Sequence, residues 1–247
     1  VTKANEVMGI RTADVAFDVM DKVERNLFER NCDAQAWSKF DMVKACLQGA
    51  DEARIRHGSE FLKHLVDIYE VYMDLYVIDL AGNIVAAGVN RDFIGHSVAD
   101  RKWFAAAQAA NGISASDLYF THTEHKPTVA YTCPILSDSG EKMGYFSSRF
   151  NWSYIYDIVD AAKIGQSGHI YLINLDGLVI ATKNHEDVLQ TSLKSIGAVQ
   201  KAISGSIYGY SIEADKAGHS KVVGYAHSRG YNAYRGKGWS CIVTEIL

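Results

Sequence analysis

The residues that could do catalytic chemistry in this chain are few and poorly grouped. His122 and His125 lie three apart with Glu124 between them, a spacing able to offer metal ligands. They fall in the polar run Thr121-His122-Thr123-Glu124-His125-Lys126-Pro127 with no evident third ligand, so a solvated turn is expected. His57 and His64 read as surface residues of a helix. Gly165-Gln166-Ser167-Gly168-His169 approaches a nucleophile elbow but lacks its second glycine position. It also precedes a strand, whereas the elbow follows one and opens a helix. Neither a P-loop nor a dinucleotide fingerprint occurs. Asn151-Trp152-Ser153 matches the glycosylation triplet, but such triplets arise by chance, and a bacterial origin would make it silent. The expectation is a protein that catalyses nothing and needs neither metal nor cofactor.

The bulk properties narrow the class. The 247 residues are 48% hydrophobic and 11% aromatic with two prolines, which argues for a folded chain of one large or two small domains. A net charge of −4 without a basic stripe makes nucleic acid a poor partner. No apolar run reaches the roughly 20 residues that cross a bilayer, and with polar Lys3, Asn5 and Glu6 the first ten residues are not expected to form a signal peptide. Cys32 and Cys46, on one helix, would stand roughly 21 Å apart, too far to bridge. Cys133 and Cys241 fall in strand-like segments and pair only if the fold joins them; buried free thiols are expected.

Two patterns must position whatever site exists. Val15, Val19, Val23 and Leu27 recur every four residues between Arg11, Asp18, Asp21 and Glu24. With no proline and one glycine over residues 3–31, this predicts an amphipathic helix roughly 40 Å long. Helical patterning continues with breaks to about Tyr72. The second pattern is a repeat: residues 76–86, YVIDLAGNIVA, align without a gap on 171–181, YLINLDGLVIA, at an offset of 95 residues. Each copy reads as strand, tight turn, strand. Further strands are expected over residues 128–134, 143–152, 221–227 and 238–245. Hairpins with helices outside them indicate an α+β architecture: two modules, each an antiparallel sheet flanked by helices, behind a long first helix.

This layout resembles the double-Cache sensor domains of bacterial chemoreceptors, histidine kinases and cyclic-dinucleotide enzymes, whose modules are PAS-like. Its carriers are the long helix, the two hairpins, Asp100-Arg101-Lys102-Trp103-Phe104, Ser116-Asp117-Leu118-Tyr119, and residues 230–239, GYNAYRGKGW. The resemblance covers nearly the whole chain. It implies helical spine and connecting helices over 1–72, a membrane-distal, ligand-holding module over 73–160, and a membrane-proximal module over 161–247. It further implies membrane helices before Val1 and after Leu247, a domain in the periplasm or extracellular space, and a weak homodimer through the first helix.

In the amino-acid-binding branch of that family an Arg-x-Trp-aromatic run grips the ligand carboxylate, and Arg101, Trp103 and Phe104 match it. A guanidinium fork suits a planar anionic group. The branch then holds the ligand ammonium with a Tyr-x-Asp pair and a later Asp. Here Tyr119 matches, but Thr121 replaces the first Asp, and the later position falls at or beside Arg149. The resemblance therefore implies a pocket that favours an anion or acceptor-rich molecule over an amine. The expected ligand is an organic carboxylate or a purine- or urate-like heterocycle, held by Arg101 and Arg149 and walled by Trp103, Phe104, Tyr119, Thr121, Tyr131 and Trp152. Asp117 is a candidate partner for one arginine. Two other functions stay open: a hydrolase in the same cleft, or a ligand-free relay that docks a periplasmic binding protein.

Overall fold

The structure, a computed structural model, describes residues 2–49 and 51–247. Helix α1 spans Lys3–Trp37, about 52 Å at 1.5 Å per residue. It exceeds the sequence expectation because nothing in residues 32–37 breaks a helix, and Ala34 and Trp37 continue the buried stripe through Val23 and Leu27. The described chain divides into two compact units. One is Glu29–Trp152; the other joins the chain before Glu29 to Ser153–Leu247.

The Glu29–Trp152 unit holds the end of α1, then α2 (Asp41–Ala45), α3 (Glu52–Tyr69), β1 (Tyr72–Asp79), β2 (Ile84–Ala87), α4 (Lys102–Ala109), β3 (Ser114–Ala115), β4 (Tyr119–Phe120), β5 (Pro127–Thr128), β6 (Ala130–Leu136) and β7 (Lys142–Phe150). Five strands form an antiparallel sheet in the order β2-β1-β7-β6-β3, and β4 pairs with β5 apart from it. Asp51 caps α3 by accepting the Ala53 and Arg54 amides, a device worth about 1 kcal/mol. Trp37 packs edge-on against Tyr69, Tyr72 and Phe146, which fastens the end of α1 to one face of the sheet.

The other unit continues from α5 (Ser153–Ala161) to β8 (His169–Ile173), β9 (Val179–Thr182), α6 (Gly197–Ile203), β10 (Tyr208–Ala214), β11 (Ser220–His227) and β12 (Ser240–Ile246). Its sheet order, β10-β11-β12-β8-β9, is the first sheet's order read from the other edge. The Gly165–Gly168 turn launches β8: the Gly165 amide and the Ser167 hydroxyl donate to the Glu245 carboxylate at 2.6 and 3.3 Å. Ser167 is thus an anchor.

The repeat seen in sequence extends further in structure. Ile84 N–H donates to His96 O as Val179 N–H does to Thr191 O, and Arg101 N–H to Val98 O as Ile196 N–H does to Leu193 O. Either side of residues 90–95 and 185–190 the two copies therefore share one backbone plan, and Arg101 and Ile196 both sit at the N-cap of the following helix, α4 or α6. Between them the copies differ, Asn90 and Ile94 lying at φ −94 and −60 where His185 and Leu189 lie at 57 and 62. Gly82 and Gly177, at φ +91 and +79, supply the left-handed turn in each hairpin.

All four cysteines are free. Cys46, Cys133 and Cys241 are buried, but Cys32 is exposed, because it lies off the Ala34–Trp37 stripe of α1. Among the described residues no helix is long and apolar enough to cross a membrane.

Candidate functional site

The sheet of the Glu29–Trp152 unit sorts its side chains by strand parity. Asp74 faces Arg149 across β1 and β7, and Tyr76 faces Ser147. Successive side chains alternate, so Asp74, Tyr76, Ile78, Tyr145, Ser147 and Arg149 share one face. Leu75, Val77, Phe146, Ser148 and Phe150 take the other, where Trp37 of α1 and Arg30 pack.

Arg149 occupies the first face, half-buried, with its guanidinium carbon 5.2 Å from the Tyr76 ring centroid and 5.5 Å from that of Phe93. It donates to the Tyr119 hydroxyl, which also feels the charge of Arg101. Burial pushes the Tyr119 phenol up to about 12 despite both cations, so it stays a neutral donor at any physiological pH. Arg101, Trp103, Tyr119 and Arg149 line one cavity of about 60 Å³ together with Ile84, Phe93, His96, Ser97, Val98, His122 and Thr123. That is room for a few waters at about 10–15 Å³ each, or for the head of a small ligand.

The buried carboxylate opposite Arg149 in the strand register is already committed. Asp74 is 3% exposed. Its Oδ1 accepts from the amides of Leu75, Gly88 and Val89 at 2.8, 3.1 and 2.8 Å, and its Oδ2 from Asn90 at 2.9 Å. Burial raises its carboxyl, and the amides of Asn90, Val89 and Leu75 and the charge of Arg149 pull it back. Asp74 thus pins the loop after β2 and shares a face with Arg149. Arg101 pairs with exposed Asp100 at 2.5 Å. Glu124, on the turn after β4, pairs with Lys126 at 3.4 Å.

The other residues expected in the pocket lie elsewhere. Phe104 is fully buried in a cluster with Tyr76, Ile78 and Tyr145, its ring 5.2 Å from that of Tyr145; it is the floor's support. Thr121 is buried, but its hydroxyl accepts the Lys126 amide at 3.0 Å and closes the 121–126 turn. Tyr131 pairs with Ser148 and so faces away from Arg149. Trp152 is buried beside Phe150 at 6.4 Å, on the Tyr131 side. Asp117 is exposed and outside the cavity wall. Reading the sequence missed Phe93, His96 and His122 as wall residues. His122 was visible as part of a polar turn, but only the β4–β5 pairing folds that turn over the cavity. Among the described residues no group of three or more His, Cys, Asp or Glu side chains could hold a metal.

The sequence matches the Cache domain family over residues 11–245. It matches no curated protein. Several solved structures share the fold. An extracellular ligand-binding receptor of Desulfohalobium retbaense is 14% identical with a TM-score of 0.72; the match covers 95% of this chain but 40% of that one. The ligand-binding domain of the Campylobacter jejuni chemoreceptor Tlp3, in complex with 4-methylisoleucine, is 12% identical with a TM-score of 0.75 and coverage of 99% and 93%. The sensor domain of the Vibrio cholerae histidine kinase DctB is 16% identical with a TM-score of 0.68 and coverage of 95% of each chain.

Proposed function

The chain belongs to the Cache domain family, and from that premise we propose that it is the extracytoplasmic ligand-binding domain of a transmembrane signalling receptor, sensing a small organic carboxylate in its Glu29–Trp152 unit. One observation carries the ligand class. Arg101, Tyr119 and Arg149 converge on a single cavity, while the nearest buried carboxylate, Asp74, has its oxygens filled by four backbone amides. The cavity therefore presents donors to a ligand and no buried acceptor suited to an ammonium group. Its small volume favours a short-chain acid. A purine or urate ring would need the 121–126 turn displaced.

Signalling follows from the same premise. Ligand held between β7, α4 and the β4–β5 turn would stabilise one arrangement of these elements, with α1 and flanking membrane helices passing the bias onward. Such a shift needs differential affinity for two states of order 1–3 kcal/mol. Self-association through exposed positions of α1 belongs to this reading.

The test is a thermal-shift panel of acetate, pyruvate, urate, alanine and ethanolamine on the purified chain. A ligand at 100 times its dissociation constant adds about 2.7 kcal/mol. Acetate or pyruvate should raise the melting temperature and ethanolamine should not. A response to alanine or ethanolamine that disappears in Arg149→Ala would overturn the ligand class. Hydrolysis of a simple ester by the chain would overturn the sensor reading itself.

A further inference from the structure

The Ser153–Leu247 unit contains a cavity of about 410 Å³, within the range of small-ligand sites. Its position is not arbitrary. Val179, Thr191 and Leu193 line it, and 95 residues earlier Ile84, His96 and Val98 line the cavity of the other unit. Two backbone hydrogen bonds that hold these positions recur pairwise, Ile84 N–H to His96 O as Val179 N–H to Thr191 O, and Val98 N–H to Gly82 O as Leu193 N–H to Gly177 O. The second cavity thus overlaps the repeat-equivalent of the first at these three positions.

We propose that it is a second binding site, and that it takes a small organic cation. The two arginines that line the first cavity have uncharged counterparts, and neither counterpart lines the second. Arg101 corresponds to Ile196, which packs against the apolar core. Tyr76 opposes Ser147 as Tyr171 opposes Ile242, so Arg149, two residues on, corresponds to Thr244. Lys183 is in the wall, but its ammonium donates to the carbonyls of Asp160 and Ala162 at 2.7 Å each. Glu186 and Asp187, both exposed, are among the lining residues and bring two acidic side chains to this wall. Tyr171 and His169 add rings stacked at 23° with centroids 6.3 Å apart, a surface on which a cation is attracted to the ring face.

The carboxylate-bearing segment is held in place before any ligand arrives. His185, Asp187 and Leu189 all have left-handed backbone, at φ 57, 57 and 62, which persists only where surroundings over-determine it. Here His185 stacks on Tyr156 at 4.0 Å and 7°, and its Nε2 meets the Asp160 carboxylate at 2.9 Å. A preformed wall lowers the ordering cost of binding.

The experiment is an amide chemical-shift titration of the isotopically labelled full chain with choline and ethylammonium, against sodium chloride at equal ionic strength. At least one of the two organic cations should move the amides of residues 182–193. Glu186→Gln with Asp187→Asn, both exposed, should weaken that response roughly tenfold or more without changing the melting temperature. Silence of residues 182–193 with both probes overturns the proposal. So does undiminished binding by the double variant, or a response of this segment to acetate instead.

Discussion

Arg149→Ala separates a ligand-binding arginine from a structural one, because the structure allows both losses to be sized. On the stability side, the guanidinium lies over two rings, Tyr76 and Phe93, each contact worth about 0.5–1 kcal/mol, and it donates to Tyr119, worth about 1 kcal/mol. The sum is about 2–3 kcal/mol. The larger 3–5 kcal/mol typical of a broken buried ion pair does not apply, since four amides still satisfy Asp74. On the binding side, a hydrogen bond to a charged ligand contributes about 1.5–3 kcal/mol, so affinity for the best acid of the panel should fall roughly 10- to 150-fold. Calorimetric titration of Arg149→Ala and Arg149→Lys, each at a temperature well below its own melting point, reads this directly. The lysine variant keeps the charge without the fork and should fall between the two. If Arg149→Ala loses the stability and binds the acid as tightly as the parent, Arg149 is a strut and the anion reading of the cavity fails.

Three further outcomes follow from side chains outside the cavity. Trp152→Ala should cost about 3–5 kcal/mol in denaturant unfolding and leave acid affinity unchanged at temperatures where it is folded, because the indole is buried beside Phe150; selective loss of binding would return Trp152 to the site. Glu24 is buried on α1, and burial raises its carboxyl against the pull of Ser228 and Arg229. The folded state then holds a proton that the unfolded state releases, so its contribution is present below the unfolded carboxylate range and lost as pH rises through the raised value. Glu24→Gln should accordingly raise the melting temperature at neutral pH, with the gain vanishing in acid; a gain that is flat with pH contradicts this. Brief alkylation of the native chain should label Cys32 and spare Cys46, Cys133 and Cys241, read by peptide mass spectrometry, with any comparable label on Cys241 counting against the fold of its sheet.

Much of the architecture was legible for reasons that can be located. The four-residue spacing of Val15 to Leu27 specifies a helix face whatever surrounds it, and the glycines at 82 and 177 mark turns that few other residues tolerate. The repeat was legible because hairpin, turn and inward apolar positions must agree in both copies. Strand β10 was not. Tyr208–Ala214 is half-exposed along nearly its whole length, so neither face imposes the alternation by which a strand is recognised. The short β3, β4 and β5 carry too few residues for any period.

The site was legible in one direction only. Within β7, the two-residue period places Tyr145, Ser147 and Arg149 together from sequence alone. Relating β7 to β6 requires the register, and a shift of one residue moves every side chain of a strand to the opposite face. Tyr131 and Arg149 could not be assigned to the same wall without knowing that Ala130, not Tyr131, opposes Arg149. The same limit hid Asp74. As an acid in the strand Tyr72–Asp79 it reads as an exposed residue, and only the antiparallel pairing with β7 reveals it as the buried neighbour of Arg149. Its fourfold amide contact turns a potential ammonium ligand into a fixed part of the loop after β2. On the proposed reading, what decides between an amine and an acid in this cavity is whether the acids present are free to accept, and the identity of the residue at position 149 matters because the one at position 74 is not.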